Sequence, residues 1–257
     1  MPPAAPAVPT DSPDLIAIVA GGTDFGEADR IVHFLTRHGA VSAFAHGARK
    51  SRRRFAGALE PFSTVRLRLD RRRRRGLPTL SSSVVETPRL PIRTDLERIA
   101  VAAYVVELAV AVSPEEDPSD GVFELVEQAL DALVAAPATL PLRRAFELRM
   151  VSTLGFAPVL DRCVVCGVDA GEVEHLDLHR GGVVCMAHAR GAPRIGPKTR
   201  QWVAGVLAAE TLEPAPGVDA QWAQTAAERL AAATGAFYSV LLGRTLKSTS
   251  MLFEVGL

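Results

Sequence analysis

The spacing of hydrophobic positions changes character once along this chain, across TPRLPIRT (87–94), a segment with two prolines. Before it, from Asp14 to Glu86, apolar residues come in short runs separated by Gly, Pro and charge clusters. The runs are LIAIV (15–19), RIVHFLT (30–36), AVSAFA (40–45), STVRLRL (63–69) and LSSSVVE (80–86). Their length and β-branched content predict strands. STVRLRL alternates most clearly, with Val65, Leu67 and Leu69 on one face and Thr64, Arg66 and Arg68 on the other. Five short strands at this spacing fit a small Greek-key barrel of the OB type; the period alone would also accept another small β-barrel.

Beyond the boundary the apolar spacing is helical. Thr94 and Glu97 read as a T-x-x-E capping box opening a helix to about Val112, with Leu96, Ile99, Ala103 and Val106 on one stripe. A second helix follows Asp120, with Phe123, Val126, Leu130 and Leu133 at helical spacing, and ends before Pro137. A third begins near Pro141, carries Leu142, Phe146 and Met150, and closes at Gly155 with Pro158 beyond. An irregular stretch of about 157–196 precedes helical patterns at roughly 198–212 and 219–243. The expected fold class is α+β: an OB-type barrel over 14–88, then a helical domain over 95–257 carrying a zinc-finger-like module at about 159–192. The first thirteen residues, MPPAAPAVPTDSP, hold no Lys or Arg and read as a disordered tail, not a signal peptide. No apolar stretch is long enough to span a bilayer, so a cytoplasmic location is expected.

Net charge is zero, with 29 basic and 29 acidic residues, but the charges are unevenly placed. Between Arg49 and Arg75 stand twelve Arg or Lys residues against two acids, Glu60 and Asp70, leaving 17 basic and 27 acidic residues elsewhere. Two blocks account for most of the excess: Arg49, Lys50, Arg52, Arg53 and Arg54, and then Arg71, Arg72, Arg73, Arg74 and Arg75. Both fall between strands, where OB-type barrels meet nucleic acid. Guanidinium groups bind phosphate bidentately, and the released counterions make such binding strong, salt-dependent and largely independent of sequence. A charge run standing alone is usually a solvated loop; the acidic remainder of the chain favours the nucleic-acid reading. Phe55 and Phe62 flank these blocks and are candidates either for base stacking or for the core. GGTDFG (21–26) does not space its glycines as a dinucleotide-binding loop does.

Three cysteines cannot form a closed disulfide set, and the insert DRCVVCGVDAGEVEHLDLHRGGVVCMAHAR suggests a different use. Cys163 and Cys166 are two residues apart, and Cys185 and His188 repeat that spacing eighteen residues later. Two such knuckles complete a tetrahedral shell, and Gly167, Gly181 and Gly182 supply the turns. His175 and His179 lie in the same loop and are alternatives to His188 as fourth ligand. A redox Cys-x-x-Cys would need a thioredoxin-like context. A catalytic zinc would need an open position and a nearby base, and no H-x-E or H-E-x-x-H pattern is present. A structural Zn2+ follows, and no enzymatic activity is expected. The rival readings are a protein-binding scaffold and a zinc-dependent nucleic-acid hydrolase.

Three separated stretches resemble one family. DFGEADRIVHFLTRHGAVSAFAHGARKSRRRFAGALEPFS (24–63) is similar to the amino-terminal barrel of RecO proteins. FELRMVSTLGFAPVLDRCVVCG (146–167) is similar to the family's helix running into its zinc module, and GRTLKSTSML (243–252) to its closing segment. The resemblance spans about residues 14–255. It implies a DNA repair and recombination mediator that binds single- and double-stranded DNA, anneals complementary strands and helps RecA replace single-strand binding protein. The implied partners are RecR and the acidic, apolar tail of single-strand binding protein, and the implied location is the nucleoid. Arg143, Arg144 and Arg149 beside Phe146 and Met150 form a candidate dock for that tail; otherwise they solvate a helix face. The chain departs from the family in two places. His188 stands where a fourth cysteine is common, and Gly-Gly-Thr precedes G-E-x-D where an Arg is often seen.

Overall fold

The computed structural model describes residues 14–50, 55–70, 76–115, 117–169, 173–212 and 219–257. The chain divides into two compact units, Met1–Pro88 with Glu115–Pro118, and Arg89–Pro114 with Ser119–Leu257.

Alternation builds the first unit. Five strands, β1 (Leu15–Phe25), β2 (Asp29–Thr36), β3 (Gly39–Ala45), β4 (Thr64–Asp70) and β5 (Thr79–Thr87), close a barrel in the order β1-β2-β3-β5-β4. All neighbours are antiparallel except β3 and β5, which meet in parallel where Phe44 faces Thr79. Inward residues such as Val32, Phe34, Ala43, Val65, Leu67 and Leu80 form the core. Phe55 and Phe62 are buried, so the core reading of both residues holds and neither offers a ring to a ligand. The first strand is longer than its apolar run suggests. After an irregularity between Val19 and Gly21 it continues through the GGTDF segment, still paired with β2, and no helix opens there.

The second unit is helical: α1 (Leu96–Val112), α2 (Asp120–Ala135), α3 (Leu140–Thr153), α4 (Gly196–Ala208), α5 (Ala220–Leu242) and α6 (Ser248–Glu254). Two sequence expectations for α1 are corrected. Its cap is Asp95, whose carboxylate accepts the Arg98 amide at 3.0 Å, whereas Thr94 ends a preceding 3-10 turn and donates to the Pro91 carbonyl. Nor does α1 bury a single stripe. Leu96 is exposed, while Ala100, Val101, Ala102, Tyr104, Val105, Val106, Leu108 and Ala109 are all buried, because α2, α3 and α6 surround the helix. A helix enclosed on several sides is apolar around most of its circumference. The Phe123, Val126, Leu130 and Leu133 stripe of α2 is fully buried. The short α6, which no sequence pattern announced, is capped across the fold: the Lys247 and Ser248 amides donate to the Glu107 carboxylate at 2.9 and 2.8 Å. Both bonds favour the ionised form, and against the opposing effect of burial they hold Glu107 below the usual carboxylate range.

The candidate dock on α3 is also corrected. Phe146 and Met150 are fully buried, and Arg144 is buried with them. Arg144 donates to the Glu147 carboxylate at 2.6 Å, to the Thr234 hydroxyl and to the Ala227 carbonyl. Arg143 donates to the same carboxylate at 2.9 Å and lies over the Tyr104 ring. Burial would raise the Glu147 carboxyl, but the two guanidinium groups hold it below the ordinary range. Arg149 is tied to Gln128 and the Glu210 carbonyl. Arg143, Arg144 and Arg149 thus tie α3 to α1, α5 and α2, and the apolar residues read as part of the dock, Phe146 and Met150, are in the core.

Candidate nucleic-acid interface and metal centre

The irregular insert resolves into a small hairpin, β6 (Val173–Asp177) with β7 (Gly182–Cys185), flanked by two turns that carry sulfur. Chain 159–164 lies beside β7: Val183 donates to the Val159 carbonyl at 2.9 Å and Val164 to the Val183 carbonyl at 3.0 Å. Gly182 makes this approach possible. It has φ 156, and a Cβ there would stand 2.2 Å from the Val159 carbonyl oxygen. The result sets Cys163 next to Cys185. Gly167, at φ 75, closes the first knuckle by donating to the Cys163 carbonyl.

One ligand atom from each of Cys163, Cys166, Cys185 and His188 lies within 4.8 Å of every other. Cys166 and Cys185 sulfurs are 3.9 Å apart, and His188 Nδ1 is 3.8 Å from Cys163 Sγ and 3.2 Å from Cys185 Sγ. A tetrahedron with Zn–S near 2.3 Å and Zn–N near 2.0 Å has edges of roughly 3.5–3.8 Å, so spacing and donor set both fit a closed four-coordinate ion. Burial alone would push the Cys163 thiol up. The amides of Cys166, Cys185 and Val165 face its sulfur and bring it down to about 6, toward the thiolate a metal requires. Of the alternative histidines, His175 is bound through Nδ1 to the Ala192 carbonyl at 2.7 Å, and His179 lies against Phe237. Only His188 joins the cluster among the described residues.

At the barrel, Arg49 and Lys50 leave β3 on the connection to β4. Arg49 pairs with Asp24 at 3.1 Å and donates to the Gly26 carbonyl, and Lys50 pairs with Glu27 at 3.6 Å. All four charged groups are exposed, so each pair contributes little to stability and is open to exchange. Arg52, Arg53 and Arg54 and Arg71 to Arg75 lie outside the described residues, as does the amino-terminal segment 1–13. The chain positions of the Arg runs are nonetheless informative. The first follows β3 directly, and the second precedes Pro78, whose carbonyl accepts the Phe44 amide at 2.8 Å. Of the basic residues between the two runs, Arg66 pairs with Glu86 and Arg68 with Asp14 on the outside of β4.

Sequence reasoning missed an aromatic row. Phe25, 55% exposed, meets the ring of Phe44 at 5.2 Å, and Phe44 meets His46 at 4.5 Å. The register places these residues on the outer face of β1, β2 and β3: Thr23 pairs with Ile31 and Ile31 with Phe44, while Val32, Ala43 and Ala45 point into the core. Phe44 and His46 are two apart on one segment, but no periodicity signals that Phe25, from another strand, joins them.

Both parts of this architecture match one family model each: Recombination protein O N terminal over residues 15–88, and Recombination protein O C terminal over residues 93–250. The chain belongs to the RecO family. Among curated relatives, DNA repair protein RecO of Anaeromyxobacter dehalogenans strain 2CP-1 is 39% identical over 258 residues, covering 96% of this chain and 98% of the relative. The protein of the same name from Myxococcus xanthus is 37% identical over 94% of this chain and 97% of its own. That of Pelobacter propionicus is 40% identical over 67% and 70%. The barrel and helices therefore belong to a family named for recombination. Among the described residues no helix is long and apolar enough to cross a membrane.

Proposed function

We propose that this protein is a DNA-binding mediator of recombination and repair that works without covalent chemistry. It would bind single- and double-stranded DNA, anneal complementary strands and help RecA onto DNA coated by single-strand binding protein. The observation that carries the reading is the closed five-stranded barrel with an Arg block in each of two loops, in a chain of the RecO family. Arg49, Lys50, Arg52, Arg53 and Arg54, between β3 and β4 in the chain, and Arg71, Arg72, Arg73, Arg74 and Arg75, between β4 and β5, neutralise phosphates. Two strands whose phosphates are neutralised by these blocks have their mutual repulsion screened, which lowers the barrier to pairing. The family resemblance supplies RecR, the tail of single-strand binding protein and, indirectly, RecA as partners. The α3 arginines are not the dock for that tail.

In this reading Cys163, Cys166, Cys185 and His188 hold a structural zinc ion. When bound, the ion supplies cross-linking and no activated water, because protein atoms fill every position. The chain's own part is to present two knuckles of fixed spacing: Gly182 lets 159–164 lie beside β7, and backbone amides facing the Cys163 sulfur favour its thiolate against the effect of burial. A zinc-dependent hydrolase would need an open position, and a protein scaffold would not bind DNA in a salt-dependent way. Fluorescence anisotropy with a single-stranded oligonucleotide at two salt concentrations tests the proposal. Tight binding that weakens steeply with salt is expected, and absence of binding at low salt would contradict it.

A further inference from the structure

Three sulfurs meet at the metal centre, and they are not equivalent. Cys163 is buried, and its sulfur accepts the Cys185 amide at 3.4 Å. Cys185, at the end of β7, is buried as well. Of the three only Cys166 is exposed, between Val165, itself exposed, and the turn at Gly167. A bound metal keeps all three sulfurs as thiolates, so exposure decides which of them an oxidant in solution reaches. The Cys185 sulfur stands 3.9 Å from that of Cys166, and the two belong to different knuckles. The fourth donor is the imidazole of His188 and not a thiol. A disulfide between Cys166 and Cys185 therefore leaves Cys163 with no sulfur to pair with, because the chain has three cysteines. Oxidation ends at one bond, and the donors that remain, Cys163 and His188, are half of a closed four-coordinate shell.

We propose that Cys166 is the oxidant-reactive residue of this module, and that hydrogen peroxide joins it to Cys185 in a reversible disulfide that displaces the metal. The displacement rests on the structural-zinc reading above; the cross-link needs only the two cysteines. The Cys166 thiolate attacks one peroxide oxygen and breaks the O–O bond. Its sulfur becomes a sulfenic acid, and the other oxygen leaves as hydroxide. The Cys185 thiolate then attacks that sulfur, forming the S–S bond and expelling a second hydroxide. Each thiolate has lost one electron, and the peroxide has taken up both. A dithiol reductant reverses the bond by exchange and restores the donors. The disulfide ties the first knuckle to β7, as the ion does, so the module stays cross-linked while it holds no metal.

The test treats the full-length protein, purified with zinc, with hydrogen peroxide. Released zinc is read with a chelating dye, free thiols by maleimide labelling, and cross-linked peptides by mass spectrometry. Free thiols are expected to fall from three to one while zinc is released in step, with the Cys166 peptide joined to the Cys185 peptide. Dithiothreitol with added zinc restores the three thiols and the ion. Cys163→Ser still forms the bond, although it lacks a metal ligand, whereas Cys166→Ser keeps its two remaining thiols at the same dose. A bond between Cys163 and Cys166, oxidation of Cys166 without a cross-link, or three intact thiols at a dose that oxidises free cysteine would each overturn the proposal. If the purified parent holds no zinc, the structural-zinc reading fails and the displacement falls with it, while the peptide map still decides the cross-link.

Discussion

Arg49 at the barrel's edge is open to water, and so is its partner Asp24; Arg144 on α3 is buried and bound to Glu147, Thr234 and a main-chain carbonyl. Both are arginines within helical or turn-rich sequence, both have an acid at hand, and their physical situations are opposite. Around Arg49 water screens the pair, so a phosphate can replace the carboxylate at little cost. Around Arg144 the charge has been taken out of water, and only the completeness of its bonding makes that tolerable. Arg89 repeats the second pattern, its side chain 2% exposed and paired with Asp131 at 2.7 Å. Density of arginine along the sequence does not by itself identify a binding surface; burial decides which arginines remain free to bind and which hold helices together.

The contrast can be broken most directly at Glu147. Replacing it with Ala strands Arg144 in the interior and is expected to cost about 3–5 kcal/mol in denaturant unfolding of the helical unit. A loss under about 0.5 kcal/mol would mean that α3 presents a solvated face after all. The same pair predicts a pH dependence. The Glu147 carboxyl lies below its ordinary value of 4.5 in the folded protein, so its contribution is complete above that pH. It is lost as the pH falls through the lowered value, and thermal unfolding below pH 4.5 should show the decline.

At the metal centre, Gly182→Ala puts a methyl group into the Val159 backbone, and Cys163→Ser removes a ligand. Each should reduce bound zinc from about one ion per chain to near zero by elemental analysis, with DNA affinity little changed. Full zinc in both variants would remove the four-ligand centre from the account. A smaller effect distinguishes the two caps read at α1: Asp95→Ala should cost about 1 kcal/mol of stability and Thr94→Ala only a few tenths. Smallest of all in stability is Arg49→Ala, within about 0.5 kcal/mol of the parent. That substitution should nevertheless flatten the salt dependence of DNA binding by about one phosphate's worth.

These particulars also show what the sequence made legible. Strands and long helices were readable wherever one face met the core, as in STVRLRL or the α2 stripe. Detail was lost where a segment had no distinct face. The helix α1 was readable as a helix to Val112, but because it is enclosed its buried side was misread, and β1 was readable at LIAIV but not where it runs on through glycines. The hairpin of the insert has too few residues to alternate convincingly, and α6 depends on a cap from Glu107, 140 positions earlier. The four sulfur and imidazole groups were legible because metal geometry imposes a local spacing, although choosing His188 over His175 and His179 required coordinates. The aromatic row was invisible because pairing between strands, and not sequence separation, brings Phe25 to Phe44 and His46.

On the proposed function, the arginines between the barrel strands bind phosphate while the buried arginines of the helical unit do not. The most direct test is the slope of log K against log salt for oligonucleotide binding, measured for the parent and for the Arg52→Ala, Arg53→Ala, Arg54→Ala triple variant. The triple variant is expected to show a slope shallower by about two to three units with an unchanged thermal midpoint, each phosphate contact carrying close to one unit. A slope equal to the parent's would contradict it.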